Sequence, residues 1–420
     1  MNIVDIADEL GQMDRPDAVM VFRMLLKSKA AEVFSCLDHD VQQSIIEAMT
    51  DREIGNIINE LFIDDAVDFI DEMPANVVKR VLANATKDTR DLINQFLQYP
   101  EDSAGSVMTV EYVDLNSDIT VADAFAHIRS TGMDKETIYT CYVTDNQRKL
   151  IGVVSAKTLF LSRKDRLISE CMDTDFVYAR TSDDQEELLD TFREHSLLAL
   201  PIVDTEDRLV GIVTFDDILV VQEEEATEDF EKMAGMSPSE MAYLKTSAFE
   251  MSKNRLPWLV LLNFSVFITG AIVSRYEHLV AVLPILVTFL PMLMDTSGDA
   301  GSQSSTLVIR GMALEEIRIS DSLAVLWKEI RVAALCGFVL ATANLIRMML
   351  LGHAFNLSLV VSLALFSAIF FAKTIGALLP IGAMLIKLDP AVMAVPILTT
   401  IVDATTLIVY FNLARIILRL

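Results

Sequence analysis

Ala391-Val-Met-Ala-Val-Pro-Ile-Leu-Thr-Thr-Ile-Val-Asp-Ala-Thr-Thr-Leu-Ile-Val-Tyr410 carries a single carboxylate, Asp403, in an otherwise uncharged run. An isolated ion in hydrocarbon is costly, so an Asp at membrane depth faces a partner, a cavity or a passing cation. Two readings stay open from this stretch alone: an ion-path ligand, or a structural partner for Lys373, the other charge deep in an apolar segment. A buried soluble helix does not suit the surroundings, because residues 256–273, 279–294, 332–351, 357–386 and 391–413 are all apolar runs. A bilayer core of about 30 Å takes roughly 20 apolar residues per helix, and shorter runs serve as broken segments. The pattern predicts a multidomain membrane protein whose residues 256–420 form a transmembrane domain of five α-helices.

Charge divides the chain. Residues 256–420 hold ten Lys/Arg against nine Asp/Glu, which leaves 24 basic and 51 acidic groups, a net of −27, in residues 1–255. An acidic half of that size argues against nucleic-acid partners and for a self-repulsion that cations relieve. Lys245, Lys253 and Arg255 precede the first run, and Arg310, Arg318, Lys328 and Arg331 lie between the second and third, while Arg275 alone lies between the first and second. The positive-inside bias places the richer loops in the cytoplasm. The expected arrangement is a multi-pass protein of the inner (cytoplasmic) membrane, N-terminus cytoplasmic and C-terminus outside, with lipid around its spans. Cys36, Cys141, Cys171 and Cys336 form no CxxC, which suits a reducing compartment. The first residues show neither the basic flank nor the apolar core of a signal peptide.

The acidic half opens with a repeat: Leu37, Met49, Leu61 and Met73 recur every twelve residues, each opening a short segment. Polar residues after the anchor are expected N-caps, with apolar positions at helical spacing behind them. Short helices stacked with a constant turn make a superhelix, so residues 1–104 are expected to be an acidic helical domain. Its core is the apolar series, and Asp64, Asp65, Asp68, Asp71 and Glu72 are expected to face outward.

A longer repeat follows at an offset of 59, pairing Asp145 with Asp204, Leu150 with Leu209 and Gly152 with Gly211. Each copy reads as strand, polar turn, strand and helix, preceded by a helix such as Gln185–His195. The pair resembles tandem CBS domains, over residues 105–167 and 168–224, an α/β regulatory module that commonly binds adenine nucleotides such as ATP. By that resemblance Thr214 and Asp217, in Gly211-Ile-Val-Thr-Phe-Asp-Asp, are the candidate ribose contacts. Gly152-Val-Val-Ser-Ala-Lys-Thr lacks the Asp, and a purely structural pair stays open. Residues 225–255 then give an acidic run and an amphipathic stretch, 237–255, fused to the first apolar run.

Tyr99-Pro-Glu-Asp-Ser-Ala-Gly-Ser-Val-Met, residues 223–235, Arg255-Leu-Pro-Trp-Leu, residues 291–311 and Pro396-Ile-Leu-Thr-Thr-Ile-Val-Asp occur in order along the chain. Together they resemble the MgtE family of magnesium channels. The resemblance implies a homodimeric, Mg²⁺-selective channel for Mg²⁺ uptake, closed by Mg²⁺ bound to the cytosolic domain. Its parts would be a helical N domain, a CBS pair, a plug helix and five membrane helices, with Asp403 at the position of the pore carboxylate. The chemistry fits: Mg²⁺ gives up water reluctantly, so a few carboxylates acting through its hydration shell suit it better than a dry cage. Thr399, Thr400 and Ala404 put short side chains near Asp403, and Pro396 frees a backbone carbonyl one turn earlier.

Where the family commonly reads Gly-Asn-Ala-Gly, this chain has Ser297-Gly-Asp-Ala-Gly-Ser-Gln, with Asp295 close by. Asp295 and Asp299 either line the inner mouth of the path or cap a turn, and Gly298 and Gly301 permit close backbone approach or a helix break. Mg²⁺ bridging is the expected relief of acidic repulsion, with candidates Asp65 and Asp68 in the N domain, Asp216 and Asp217 in the CBS pair, and Glu225, Glu228 and Asp229 in the acidic run. The competing reading is a proton- or sodium-coupled divalent-cation carrier, in which Gly376 and Pro380 interrupt the fourth span. An enzyme finds no support: the five histidines are scattered and no nucleophile–base set or phosphate loop appears.

Overall fold

Helices begin at residues 3, 15, 27, 39, 51, 63, 75 and 87, a period of twelve sustained over eight helices. They are α1 (Ile3–Gln12), α2 (Arg15–Phe22), α3 (Lys27–Ser35), α4 (His39–Ala48), α5 (Asp51–Ile58), α6 (Ile63–Asp71), α7 (Ala75–Asn84) and α8 (Lys87–Phe96). The computed structural model describes residues 2–239, 243–244, 246–314, 316–393 and 395–419. It divides into two compact units, Met1–Glu223 and Glu224–Leu420.

In the first unit α1 packs on α3, α2 on α4, α3 on α5, α5 on α7 and α6 on α8, which is the superhelix the repeat predicts. The anchors Leu37, Met49 and Met73 are buried and Leu61 is half-buried, while Phe22, Phe34 and Phe69 meet edge to face in the core. The polar-cap expectation holds in part. Thr50 and Thr86 accept from backbone N–H groups of their helices, but Phe62 and Pro74 occupy the same position, where the period and the apolar stripe suffice. Asp68, Asp71 and Glu72 are exposed as expected and Asp65 is half-buried; Asp64 instead is buried, at 9% exposure.

The CBS pair forms two three-stranded sheets of identical order. In the first, β1 (Asp114–Asn116) runs parallel to β2 (Thr140–Thr144), which is antiparallel to β3 (Leu150–Ser155), with α9 (Val121–Thr131) and α10 (Ala156–Leu161). In the second, β4 (Ala179–Arg180), β5 (Ala199–Val203) and β6 (Leu209–Thr214) repeat the pattern with α11 (Gln185–His195) and α12 (Phe215–Met233). Asp145 Oδ1 accepts from the N–H groups of Gln147 and Lys149, and Asp204 Oδ1 does the same for Glu206 and Arg208, so the two hairpins are the same Asx turn. They also bond reciprocally, Leu150 N to Asp207 O at 3.2 Å and Leu209 N to Arg148 O at 3.0 Å. A Cβ on Gly152 would lie 3.0 Å from Asp173 O, and one on Gly211 2.8 Å from Thr109 O, backbone atoms that cannot give way, which explains glycine at both.

In the second unit α13 (Ala248–Arg275) is capped by Ser247 and runs through Pro257. Of the expected 237–255 helix, residues 248–255 are its first part; Glu240, Met241, Ala242 and Lys245 lie outside the described residues. The second apolar run is not one helix. It breaks into α14 (Glu277–Val282), a 3-10 turn (Pro284–Phe289) and the start of α15 (Leu290–Ala313), because Pro284 has no N–H and holds Leu283 out of the helical region at φ −136°, ψ 77°. There follow α16 (Ser322–Leu350), α17 (Phe355–Leu385) and α18 (Val395–Leu418). Among the described residues four stretches are long and apolar enough to cross a membrane: Ala248–Arg275, Ile319–Leu350, Phe355–Leu385 and Ile397–Leu418. Interrupted by Asp295, Asp299 and Arg310, α15 falls outside that set. The expected interruption of the fourth run does not occur, since α17 continues through Gly376 and Pro380.

Candidate functional site

Two constellations of charge stand out, one in each unit. In the second unit α15, α17 and α18 pack on one another. Its buried Ser297 accepts from Thr406 Oγ1 of α18 at 3.0 Å, and a Cβ on Gly298 would lie 3.8 Å from Thr399 Cγ2. Thr399, Asp403 and Thr406 share one face of α18 by helical spacing, so Asp403 lies on the face that meets α15. Asp403, Thr399, Thr400 and Ala404 are half-buried, and among the described residues Asp403 makes no hydrogen bond or ion pair. Pro396 is the second residue of α18, where a missing N–H costs nothing, so the break falls before it.

Asp295 and Asp299 are one turn apart within α15 and exposed, which overturns the capping alternative; α15 is also unbroken at Gly298 and Gly301. The glycines serve close approach: a Cβ on Gly376 of α17 would sit 2.4 Å from Gly301 O. Lys373, 5% exposed, does not pair with Asp403. Its Nζ donates to Ala300 O and Gln303 Oε1 at 3.3 Å and to Ser304 Oγ at 3.5 Å.

In the first unit the start of α12 and the first turn of α6 face each other. Thr214 Oγ1 lies 2.6 Å from Asp216 Oδ1 and 2.5 Å from Asp217 Oδ2, and Thr214 N donates to Asp217 Oδ2 at 3.3 Å, an N-terminal cap for α12. Burial, then the charge of Asp217, pushes the Asp65 carboxyl up to about 6. Burial, then Asp217 and Asp216, pushes Glu136 up to about 7, and burial, then Asp217 and Asp65, raises Asp64 well above its ordinary value. Burial first raises Asp217 as well. Asp65 thus lies near Asp216 and Asp217, while Asp68 stands one turn along α6, exposed. Sequence reasoning missed Asp64 and Glu136; a carboxylate beside an apolar stripe reads as a solvated edge until a second domain covers it. Among the described residues no three of these groups converge closely enough to hold a bare metal ion.

The acidic run is helical within α12, with Glu225, Glu228 and Asp229 half-buried. Lys232 Nζ lies 2.8 Å from both Glu228 and Asp389, the latter in the loop before α18. Burial works against the Lys232 charge, but Asp389 and Glu228 outweigh it and hold the ammonium above the usual lysine range. Burial, then Asp389, raises Asp229. Lys232 and Asp389 carried no signal in the sequence, since their meeting joins positions far apart in the chain.

Comparison with known proteins places this arrangement. Residues 290–413 match the family described as MgtE, divalent cation transporter, residues 1–102 the MgtE intracellular N domain, and residues 104–164 and 168–224 the CBS domain. The magnesium transporter MgtE of Thermus thermophilus is 34% identical over 95% of this chain and 89% of its own length. That of Bacillus subtilis is 30% identical over 99% of this chain and 86% of its own. Among solved structures, the cytosolic domain of the Mg²⁺ channel MgtE in complex with ATP is 34% identical, with a TM-score of 0.50 over 53% of this chain and 90% of that one. The soluble part of a magnesium transporter gives 28% identity and a TM-score of 0.52 over 54% of this chain and 89% of that one. With its helical N domain, CBS pair and apolar helical region each matched in order, the chain belongs to the MgtE family of magnesium transporters.

Proposed function

We propose that the protein is a Mg²⁺-selective channel for magnesium uptake across the cytoplasmic membrane, closed when Mg²⁺ binds its acidic residues. The observation that carries this reading is Asp403, a half-buried carboxylate on an apolar helix with no partner among the described residues. A charge kept at membrane depth without compensation is explained by a cation that comes and goes. Thr399, Thr400 and Ala404 leave room around it for an ion that retains water.

The exposed Asp295 and Asp299 extend the same argument. Carboxylates on the outer face of a helix packed among apolar spans do not suit lipid, and a second copy of the chain would enclose them in a shared aqueous path, so a homodimer is the proposed assembly. The first unit supplies the sensor. Asp64, Asp65, Asp216, Asp217 and Glu136 repel one another, and hard carboxylate oxygens are the donor set that hydrated Mg²⁺ takes. Asp68, Glu225, Glu228 and Asp229 are further sensor candidates. Uninterrupted α17 removes the interruption at Gly376 and Pro380 on which the coupled-carrier alternative was built.

The related cytosolic domain solved with ATP makes an adenine nucleotide the second ligand to test at the CBS pair. Thr214 and Asp217 are the proposed contacts, and a ribose there would displace the bonds that the buried Thr214 hydroxyl makes to Asp216 and Asp217.

The test is Mg²⁺ uptake into proteoliposomes. Asp403→Ala should reduce uptake to the background of empty vesicles while the protein stays folded, and Asp403→Asn, which keeps shape and loses charge, should fall nearly as far. Uptake at the normal rate in both variants would remove Asp403 from the ion path.

A further inference from the structure

Lys373 is the buried charge that neither the ion path nor the sensor uses. A lysine ammonium has three protons to donate, and here three oxygens of a single helical turn, Ala300 O, Gln303 Oε1 and Ser304 Oγ, receive them. Ser304 passes the interaction on: its Oγ donates to Glu329 Oε2 of α16 at 2.6 Å. A cation on α17 and an anion on α16 are thus joined through one hydroxyl on α15, so the network ties three helices and balances its own charge.

The geometry around it is tight. Gly376, one turn from Lys373, meets the Gly301 carbonyl, and Gly301 itself faces Ala372 O and Leu398, so α15 has no slack toward α17 or α18 at this level. The turn that Lys373 holds begins at Ala300, immediately after Asp299. A rotation of α15 would move Asp295 and Asp299 together, since they lie on one face.

We propose that Lys373 is a positioning residue for cation passage: through Ala300, Gln303 and Ser304, with Glu329 closing the charge, it fixes the rotation of α15 that presents Asp295 and Asp299 to the ion path. This rests on the channel reading above. A network kept for stability alone predicts otherwise, because replacing a buried ion pair by side chains of similar shape is often neutral or stabilising. Positioning predicts that stability and transport separate. Groups that orient functional ligands typically cost roughly tenfold to a hundredfold in function when removed.

The experiment compares wild type, Lys373→Met with Glu329→Gln, Lys373→Gln alone and Asp403→Ala, all full length in proteoliposomes, reading uptake per folded protein, half-saturating Mg²⁺ and thermal midpoint. The double variant should hold its midpoint and lose about tenfold or more in maximal uptake. Lys373→Gln, which keeps two N–H donors and loses the charge, should fall between. Normal uptake per folded protein in the Lys373 variants, beside an inactive Asp403→Ala, would overturn the positioning role while leaving the channel reading intact; normal uptake by Asp403→Ala would overturn the channel reading instead. Should the double variant fail to fold, the rate of thiol modification at Asp299→Cys, with Cys36, Cys141, Cys171 and Cys336 replaced by Ala, decides the matter. Lys373→Gln should change that rate several-fold, and an unchanged rate overturns the proposal.

Discussion

Asp64, Asp65, Asp217 and Glu136 in the first unit are crowded by one another, and no basic group figures among the charges that act on Asp64, Asp65 or Glu136. Lys373 in the second unit has an oxygen for each of its protons, and Lys232 has a carboxylate on either side. The fold leaves its buried negative charge open to a cation, held only by neutral donors such as the N–H groups of Asp65 and Thr214, and completes its buried positive charge. An open site changes with what arrives from solution, whereas a completed one stays put, so the two kinds of charge suit the sensing and positioning roles proposed above. Asp403, in the membrane unit yet without a partner among the described residues, belongs with the open sites.

The largest break in this comparison is to remove one side of it. A chain lacking residues 1–235, cut just beyond the end of α12 at Met233, should still pass Mg²⁺ but no longer close at high internal Mg²⁺. Flux from loaded proteoliposomes checks this, and continued closure would move the sensor into the membrane unit.

A smaller effect sharpens the contrast within the first unit. Asp65→Asn with Asp217→Asn removes two like charges, so without Mg²⁺ the unit should become more stable, by about 1 kcal/mol or roughly 2–4 °C in thermal midpoint. The same variant should lose most of the stabilisation that Mg²⁺ confers on wild type, because a ligand stabilises only by binding the folded state better than the unfolded. A variant both less stable and equally responsive to Mg²⁺ would show that these carboxylates are not in repulsion.

Much of this was legible in the sequence, unevenly so. The twelve-residue anchors carry the superhelix, since a repeat whose core faces its neighbours states its packing locally; only its extension to eight helices went unseen. The offset of 59 locates both CBS hairpins but not what precedes them, where α9 and α11 start 64 residues apart. Asp403 stood out because hydrocarbon makes a lone charge conspicuous. What stayed hidden depends on distant partners: Asp64 is covered by another domain, Lys232 finds Asp389 across more than 150 residues, and Lys373 turns to carbonyl and hydroxyl oxygens that no charge pattern reveals. The break at Pro284 was readable in principle, but apolar content outweighed it in the run from 279 to 294.

The dependence on pH takes its sign from the open site. Asp65 and Glu136 have ordinary values of 3.8 and 4.5 and are raised to about 6 and about 7 in the folded protein. Between those limits the folded state binds more protons than the unfolded, so stability is full below about pH 4 and is lost as pH rises to about 7. Mg²⁺ bound as proposed would compete for the same oxygens and need them deprotonated. The midpoint of Mg²⁺-free protein should therefore fall between about pH 5 and pH 7.5, and the gain on adding Mg²⁺ should grow across the same window. Asp65→Asn with Glu136→Gln should flatten both curves. Thermal unfolding across that range, with and without Mg²⁺, reads the two together. A Mg²⁺ gain that is the same at both ends of the range, or a midpoint that rises with pH in its absence, would mean that these carboxylates are already ionised and compensated in the folded protein, and the distinction between open and completed charge would fail at the place where it was drawn.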